Sequence, residues 1–275
     1  MRNDFVAIIL SHGRPTNVRT YNTIRKAGYT GDIIILCDNE DKRLDEYINI
    51  YGDQVVVFDK IEESKKVDSM DNFHNRRCAV HARNACFDVA KAKGYKYFVE
   101  LDDDYYCFEY RTEFGAICNK KMDEVVELFV EYLENTPQIY SIAFSQGGDH
   151  IGGYKPNKNI KRKCMNSWFC DVDRRFRFNG RMNDDVNAYI KLGNVGKVFL
   201  TIMNVQIDQE DTQSGGGMSG TYLDGGTYVK TFYSVMLCPS FVKVKGIGVS
   251  SKRLHHSISW KNAVPCIISE KYKKK

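Results

Sequence analysis

The chain has 275 residues, 43% of them hydrophobic, enough for one large buried core and too many for a disordered chain. Its 40 basic and 35 acidic residues leave a net charge of +5, part of it on the terminal Lys271, Lys273, Lys274 and Lys275, which permits an anionic partner without requiring one. No apolar stretch approaches the ~20 residues of a membrane span and no signal peptide opens the chain, so a soluble, cytoplasmic protein is expected.

The first half alternates strands and helices. Phe5 to Leu10 is a continuous apolar run that suits a strand buried on both faces. The polar turn Ser11-His12-Gly13-Arg14-Pro15 follows, and Thr16 is placed to cap a helix reaching about Lys26. Gly28 and Gly31 stop that helix. Asp32 to Cys37 reads as a second buried strand ending in Asp38, Asp41 to Ile50 as a short helix, and Gln54 to Phe58 as a third strand. Residues 60–75 are polar and charged and read as a surface loop. A helix from about Asn75 to Lys93 carries Cys78, Ala82, Cys86 and Val89 on one face, and Gly94 separates it from a fourth strand, Tyr95 to Leu101. Met122 to Leu133 is an amphipathic helix and Tyr140 to Phe144 a strand. Beyond them the pattern loosens, basic and aromatic from 154 to 181 and glycine-rich from 214 to 226. Such alternation implies right-handed crossovers and an α/β fold with a mostly parallel sheet flanked by helices.

Nine cysteines are present, an odd number with no C-x-x-C pair, and many lie in apolar runs. Reduced, packed thiols fit this better than a disulfide framework. Cys164 and Cys170 are candidate metal ligands only by residue type, and ordinary buried thiols are the preferred reading.

In a parallel α/β sheet, ligands sit at the carboxyl ends of the strands. Three candidates fall there: the Ser11 to Arg14 turn, Asp38, and the run Asp102-Asp103-Asp104. Along an extended chain Asp102 and Asp104 share a face. Adjacent carboxylates repel unless a cation neutralises them, and a hard divalent cation does so while leaving positions open for substrate phosphates. A solvated acidic turn is the bland alternative.

The helix start Ala82-Arg83-Asn84, followed by Ala90, Gly94 and the strand Tyr97 to Asp104, resembles the inverting family-2 glycosyltransferases of GT-A fold. The resemblance implies a Rossmann-like, nucleotide-sugar-binding sheet with an irregular acceptor-side region after it. It implies Mn²⁺ or Mg²⁺ as cofactor and a UDP-sugar as donor. Ser11, Arg14 and Asp38 would hold uracil and ribose, and Arg83 would orient the diphosphate or the aspartates. Asp104 would be the main metal ligand, Asp102 would serve ribose or metal, and Asp103 would line the cofactor site. The cluster Asn183-Asp184-Asp185-Val186 resembles the motif that opens an acceptor-side helix in these enzymes, which makes Asp185 the first choice for catalytic base and Asp184 the second. Helix capping by Asn183 or Asp184 is the competing reading. Of the adjacent His255 and His256, only one can reach a metal, and His256 is favoured. The chain is expected to be a single domain over 1–275, with a nucleotide-sugar half at 1–145 and an acceptor half at 146–275.

Across most of its length the chain also resembles the TET-associated glycosyltransferases of bacteriophages, through Val99 to Tyr106, Asn183 to Tyr189, Gly225 to Ser234 and Leu254 to Pro265. That resemblance implies double-stranded DNA carrying a hydroxymethylated pyrimidine, above all 5-hydroxymethylcytosine, as acceptor. Residues 154–181 interleave Lys155, Lys158, Lys161, Arg162, Lys163, Arg174, Arg175, Arg177 and Arg181 with Tyr154, Trp168, Phe169, Phe176 and Phe178. Such a mixture suits phosphate neutralisation and base stacking, or a solvated basic face over an aromatic core. Ser214 to Gly217 reads as a flexible connection rather than a phosphate loop, since no lysine-serine ending follows. A carbohydrate acceptor, a nucleotidyltransferase and a non-catalytic DNA-binding module are the rival readings.

Overall fold

A computed structural model describes residues 1–150, 153, 159–209, 229–248 and 253–263. Strands β1 (Phe5–Leu10), β2 (Asp32–Asp38), β3 (Val55–Phe58) and β4 (Tyr97–Asp102) follow the apolar runs. They pair in parallel in the order β3-β2-β1-β4, with Leu10 beside Leu36 and Asp102. Helices α1 (Arg19–Lys26), α2 (Leu44–Tyr51), α3 (Lys60–Ser64) and α4 (Val80–Ala92) fill the connections. Alternate residues of β1 enter two separate apolar clusters, Phe5, Ala7 and Ile9 on one face and Val6, Ile8 and Leu10 on the other. Both faces are therefore covered, which is why the run lacks polar alternation.

Beyond β4 the sheet becomes mixed. The chain turns back through β5 (Tyr105–Thr112) and β6 (Gly115–Cys118), then passes α5 (Met122–Asn135), β7 (Ile139–Gln146), the short β8 (Ile160–Lys161) and β9 (Ser167–Asp171). After α6 (Asp184–Asn194) comes the long β10 (Val198–Gln209). The order continues β4-β9-β7-β10-β5-β6, with β9 antiparallel to both neighbours and β10 parallel to β7 but antiparallel to β5. The α/β class stands; the sheet is more antiparallel than expected because hairpins and return strands need no helical crossover. Helix α7 (Val229–Leu237), the ribbon of β11 (Val242–Ile247) and β12 (Arg253–Ile258), and α8 (Trp260–Ala263) complete the described chain. Strands from both sides of residue 145 interleave in one sheet. No helix among the described residues is long and apolar enough to cross a membrane.

Two local expectations need correction. Thr16 does not cap α1: it lies in a 3₁₀ turn, and the helix enters from Val18 without a side-chain cap. The stretch after Phe58 is not all surface loop, because Asp59 caps α3 and buries Lys60 and Glu63.

Candidate active site

The acidic run is tied to α1 by its backbone. The Thr20 N–H donates to the Asp103 carbonyl at 3.1 Å and its hydroxyl to the Asp102 carbonyl at 2.6 Å. The same hydroxyl accepts the Tyr105 N–H at 3.0 Å. An orphan donor of the first helical turn is thus satisfied by the turn that carries the aspartates.

The chain bends after β4, and the three carboxylates have different surroundings. Asp103 points inward, 1% exposed, accepting Ser11 Oγ at 2.5 Å and Arg14 Nη2 at 2.5 Å. Ser11 Oγ also meets Tyr47 Oη at 2.7 Å, and the Arg14 N–H donates to that same phenol oxygen. Burial pushes the Asp103 carboxyl up to about 6, against the pull of Arg14. Asp103 therefore braces the first turn through Ser11 Oγ and Arg14 Nη2. Asp102 and Asp104 are both half-buried, and the Asp104 charge acts on Asp102.

Arg83, from the first turns of α4, is the hub of the second cluster. Its guanidinium contacts Glu100 on β4, lies 3.3 Å from Asp102 Oδ1, and brings Nε within 2.8 Å of Asp184 Oδ2 at the start of α6. Glu100 is fully buried, and burial raises its carboxyl to about 8 despite Arg83. Burial likewise raises Asp102 and Asp184 to about 6, each opposed by Arg83. The negative charges of Asp104 and Asp185 push Asp102 further up. One guanidinium thus faces Glu100, Asp102 and Asp184, with Asp104 and Asp185 close by. The next residue of the same helix, Asn84, exchanges two hydrogen bonds with the Phe178 backbone at 3.0 and 3.1 Å. Those bonds hold the approach to α6.

The donor set fits a hard divalent cation. Such an ion is usually held by one or two carboxylates and completes its shell with water and phosphate oxygens. Asp102 and Asp104, at and just after the end of β4, would offer those oxygens. Among the described residues, no three His, Cys, Asp or Glu side chains form a ready metal cage. His256, on β12, meets Asn183 Nδ2 at 3.3 Å; burial and the charges of His255, Lys230 and Lys163 lower it to about 4. The structure brings it to the entrance of α6 and not into contact with Asp102 or Asp184. Asn183 takes the left-handed conformation before α6 without a side-chain cap, donating instead to Ser234 Oγ at 2.8 Å. The capping reading of Asn183 is thereby excluded. Asp185 Oδ1 accepts the Val186 N–H at 2.7 Å.

A third group surrounds Asp38. Its Oδ2 accepts His12 Nδ1 at 2.7 Å and lies 3.3 Å from Lys60 Nζ, while Oδ1 accepts the Glu40 N–H at 3.1 Å. Burial opposes its charge, but His12 and Lys60 hold its carboxyl below the usual range. Gly13 turns the chain at φ +72°, where a side chain would be strained, and donates to Asp41 at 2.7 Å. A cavity of about 530 Å³ opens beside this group, lined by His12, Glu40, Lys60, Phe73, Arg76 and Arg77 among others. Asp38 is not among its lining residues.

Sequence reasoning passed over His12, Lys60 and Glu100. The readable signal for Glu100 was a lone carboxylate inside the buried run Tyr97 to Leu101; His12 lay within the Ser11 to Arg14 turn without being singled out, and Lys60 carried no signal. The acceptor-side reading needs a larger correction. Trp168, Phe169, Phe176 and Phe178 are fully or almost fully buried in the aromatic core and cannot stack on a base. Arg174 donates to Asp171 and to the carbonyls of Leu133, Thr136 and Ile139 where α5 passes into β7, Arg175 pairs with Asp88, and Arg181 with Asp71. The mixture arose because strand and core composition interrupts a run of structural arginines. Tyr154, Lys155 and Lys158 lie outside the described residues, as do Ser214 to Gly217. Cys164 and Cys170 are buried against β7, bonded to Ser141, and are not metal ligands.

The profile of one protein family, described as TET-associated glycosyltransferase, matches residues 5–217. The chain belongs to that family. It is accordingly an enzyme of the glycosyltransferase class. Among solved structures, this glycosyltransferase is similar to glucosyl-3-phosphoglycerate synthase from Mycobacterium tuberculosis. One complex of that enzyme, with Mn²⁺, UDP and glucosyl-3-phosphoglycerate, gives a TM-score of 0.50 at 9% identity, covering 96% of this chain and 89% of the other. Another, with Mn²⁺, UDP-glucose and phosphoglyceric acid, gives 0.51 at 9% identity over 88% and 84%. The likeness establishes the GT-A fold. No curated protein matches the sequence.

Proposed function

We propose that this family member transfers a sugar from a UDP-sugar to an acceptor hydroxyl by single displacement with inversion. The carrying observation is the Arg83 bridge, which places Asp102 at the end of β4 and Asp184 at the start of α6 on one guanidinium. A donor-side strand and an acceptor-side helix thereby meet in one cluster. Asp104, with Asp102, would hold Mn²⁺ or Mg²⁺, which when bound balances charge on the departing diphosphate. The related mycobacterial enzyme is bound to Mn²⁺ and a UDP-sugar, which supports this donor and this ion.

Asp185 accepts the acceptor's proton as the new C–O bond forms at the anomeric carbon and the bond to the diphosphate breaks. Asp184 is the second candidate because its Oδ2 lies 2.8 Å from Arg83 Nε, an ion pair that ties this carboxylate to the bridge. Asp185 does not share that contact. The working unit is the single domain 1–275, read as a cytoplasmic protein.

Family membership supports a hydroxymethylated pyrimidine in DNA, 5-hydroxymethylcytosine first, as acceptor. A carbohydrate acceptor is the second reading. It is favoured by the burial of Trp168, Phe169, Phe176 and Phe178, which removes the base-stacking surface that pointed to DNA. A mass-spectrometric assay with Mn²⁺, a panel of UDP-sugars, and duplex DNA with and without 5-hydroxymethylcytosine separates the two. A hexose or pentose increment on the modified nucleoside alone supports the DNA acceptor. Transfer to a carbohydrate panel with no increment on DNA refutes it and keeps the donor chemistry.

A further inference from the structure

We infer that His12, oriented from behind by Asp38, is the residue that reads the nucleobase of the donor. This rests on the uridine-nucleotide reading above and names the specificity determinant within it. Asp38 cannot itself meet a base: it is 5% exposed, and its oxygens are engaged by His12, Lys60 and the Glu40 N–H. His12 stands in front of it on the cavity wall, its side chain 53% exposed. Phe73, 73% exposed, lines the same cavity with the Arg181 guanidinium 5.5 Å from its ring centre. A volume of about 530 Å³ lies within the range of small-ligand sites.

The tautomer follows from the partner. An ionised carboxylate only accepts, so Nδ1 of His12 carries the proton that Asp38 receives. Nε2 is then the ring's remaining polar atom, and in neutral imidazole it is an acceptor. The 2,4-dione ring of uracil presents an N3–H donor to it, whereas cytosine presents a bare N3 and two lone pairs meet. Protonation of His12 turns Nε2 into a donor and reverses that preference.

The groups that set this protonation come from several elements. Asp38 and Asp41 face the ring from the end of β2 and the turn after it, at 2.7 and 3.7 Å. Lys60 approaches from α3, and Glu40, His74, Arg76 and Arg77 share the cavity. The hydrogen bond to Asp38 raises the His12 value above its ordinary one, against burial and Lys60. Acidification through that raised value therefore removes the acceptor for uracil.

The test is isothermal titration of the full chain with UDP and with CDP, in Mn²⁺, at pH 8.5 and pH 5.5. The ratio of the two affinities cancels the shared diphosphate contribution. Wild type should favour UDP by at least about tenfold at the higher pH, with that ratio shrinking at least about threefold at the lower. His12→Gln, whose amide offers both donor and acceptor, should bring the ratio to about one to two at both pH values, and His12→Ala should do the same if the first variant folds poorly. A wild-type ratio near one, or a tenfold preference retained in either variant, overturns the inference while leaving a nucleotide donor standing. Failure of wild type to bind either nucleotide overturns the donor reading itself.

Discussion

Two groups of carboxylates at the same edge of the sheet differ in how their charge is met. Asp38 and Asp103 each have partners of their own, His12 and Lys60 for the first and Arg14 for the second, with hydroxyl and N–H donors filling what remains. Glu100, Asp102 and Asp184 converge on Arg83, with Arg14 also acting on Asp102, and Asp104 and Asp185 act on Asp102 from nearby. A closed group of the first kind shapes a turn. An open group of the second kind gathers several carboxylates around one guanidinium, where a divalent cation and a charged substrate would join them. The lesson is that neighbours in a D-D-D run can belong to different groups: Asp103 braces the first turn, while Asp102 and Asp104 are the pair proposed to hold the metal.

The largest expected effects fall on the open group. Asp104→Ala should abolish measurable sugar transfer, and Asp185→Asn should lower kcat by about 10²–10⁴ while leaving UDP affinity nearly unchanged. Steady-state kinetics with parallel titrations check both, and near-normal turnover in Asp185→Asn would remove the base assignment. Trp168→Ala comes next. Trp168 pairs with Glu100 across β4 and β9 and is fully buried, so its loss should cost about 3–5 kcal/mol in urea unfolding. An unchanged midpoint would return the residue to an exposed, base-stacking role.

Asp103→Ala should cost about 2–4 kcal/mol by leaving Arg14 and Ser11 without their partner, with kcat per folded molecule within about threefold of wild type. A collapse of kcat at full stability would erase the distinction between the two groups. Asp38→Asn should show the smallest and most pH-dependent loss. A carboxyl held below its unfolded value contributes stability above that value, and loses it as pH falls through the folded value. The variant should therefore be less stable than wild type at pH 7 and should approach it in acid. An equal deficit at pH 3 and pH 7 would contradict the pairing with His12 and Lys60.

Much of the donor side was legible because buried parallel strands announce themselves as unbroken apolar runs, and their carboxyl ends fix where Ser11, Asp38 and Asp102 must lie. The A-R-N helix start was equally readable, although the reason for Asn84, its pair of bonds to Phe178, was not. Hidden features depend on distant partners. Nothing near Asp71 in sequence foretells its ion pair with Arg181, 110 residues away, at 2.7 Å. Strand β5 escaped notice because polar residues interrupt it, and its place beside β10 is set by tertiary pairing. The segment 154–181 misled because composition cannot tell an arginine that holds carbonyls from one that awaits phosphate.

The central claim is that the open carboxylates at the end of β4 complete a metal-assisted UDP site. The most direct measurement is UDP binding by isothermal titration with and without Mn²⁺, in wild type and in Asp104→Ala. The account expects wild-type binding that strengthens at least about tenfold with Mn²⁺, and no such gain in the variant. Equal Mn²⁺ enhancement in both proteins, or UDP binding indifferent to Mn²⁺ in wild type, would contradict it.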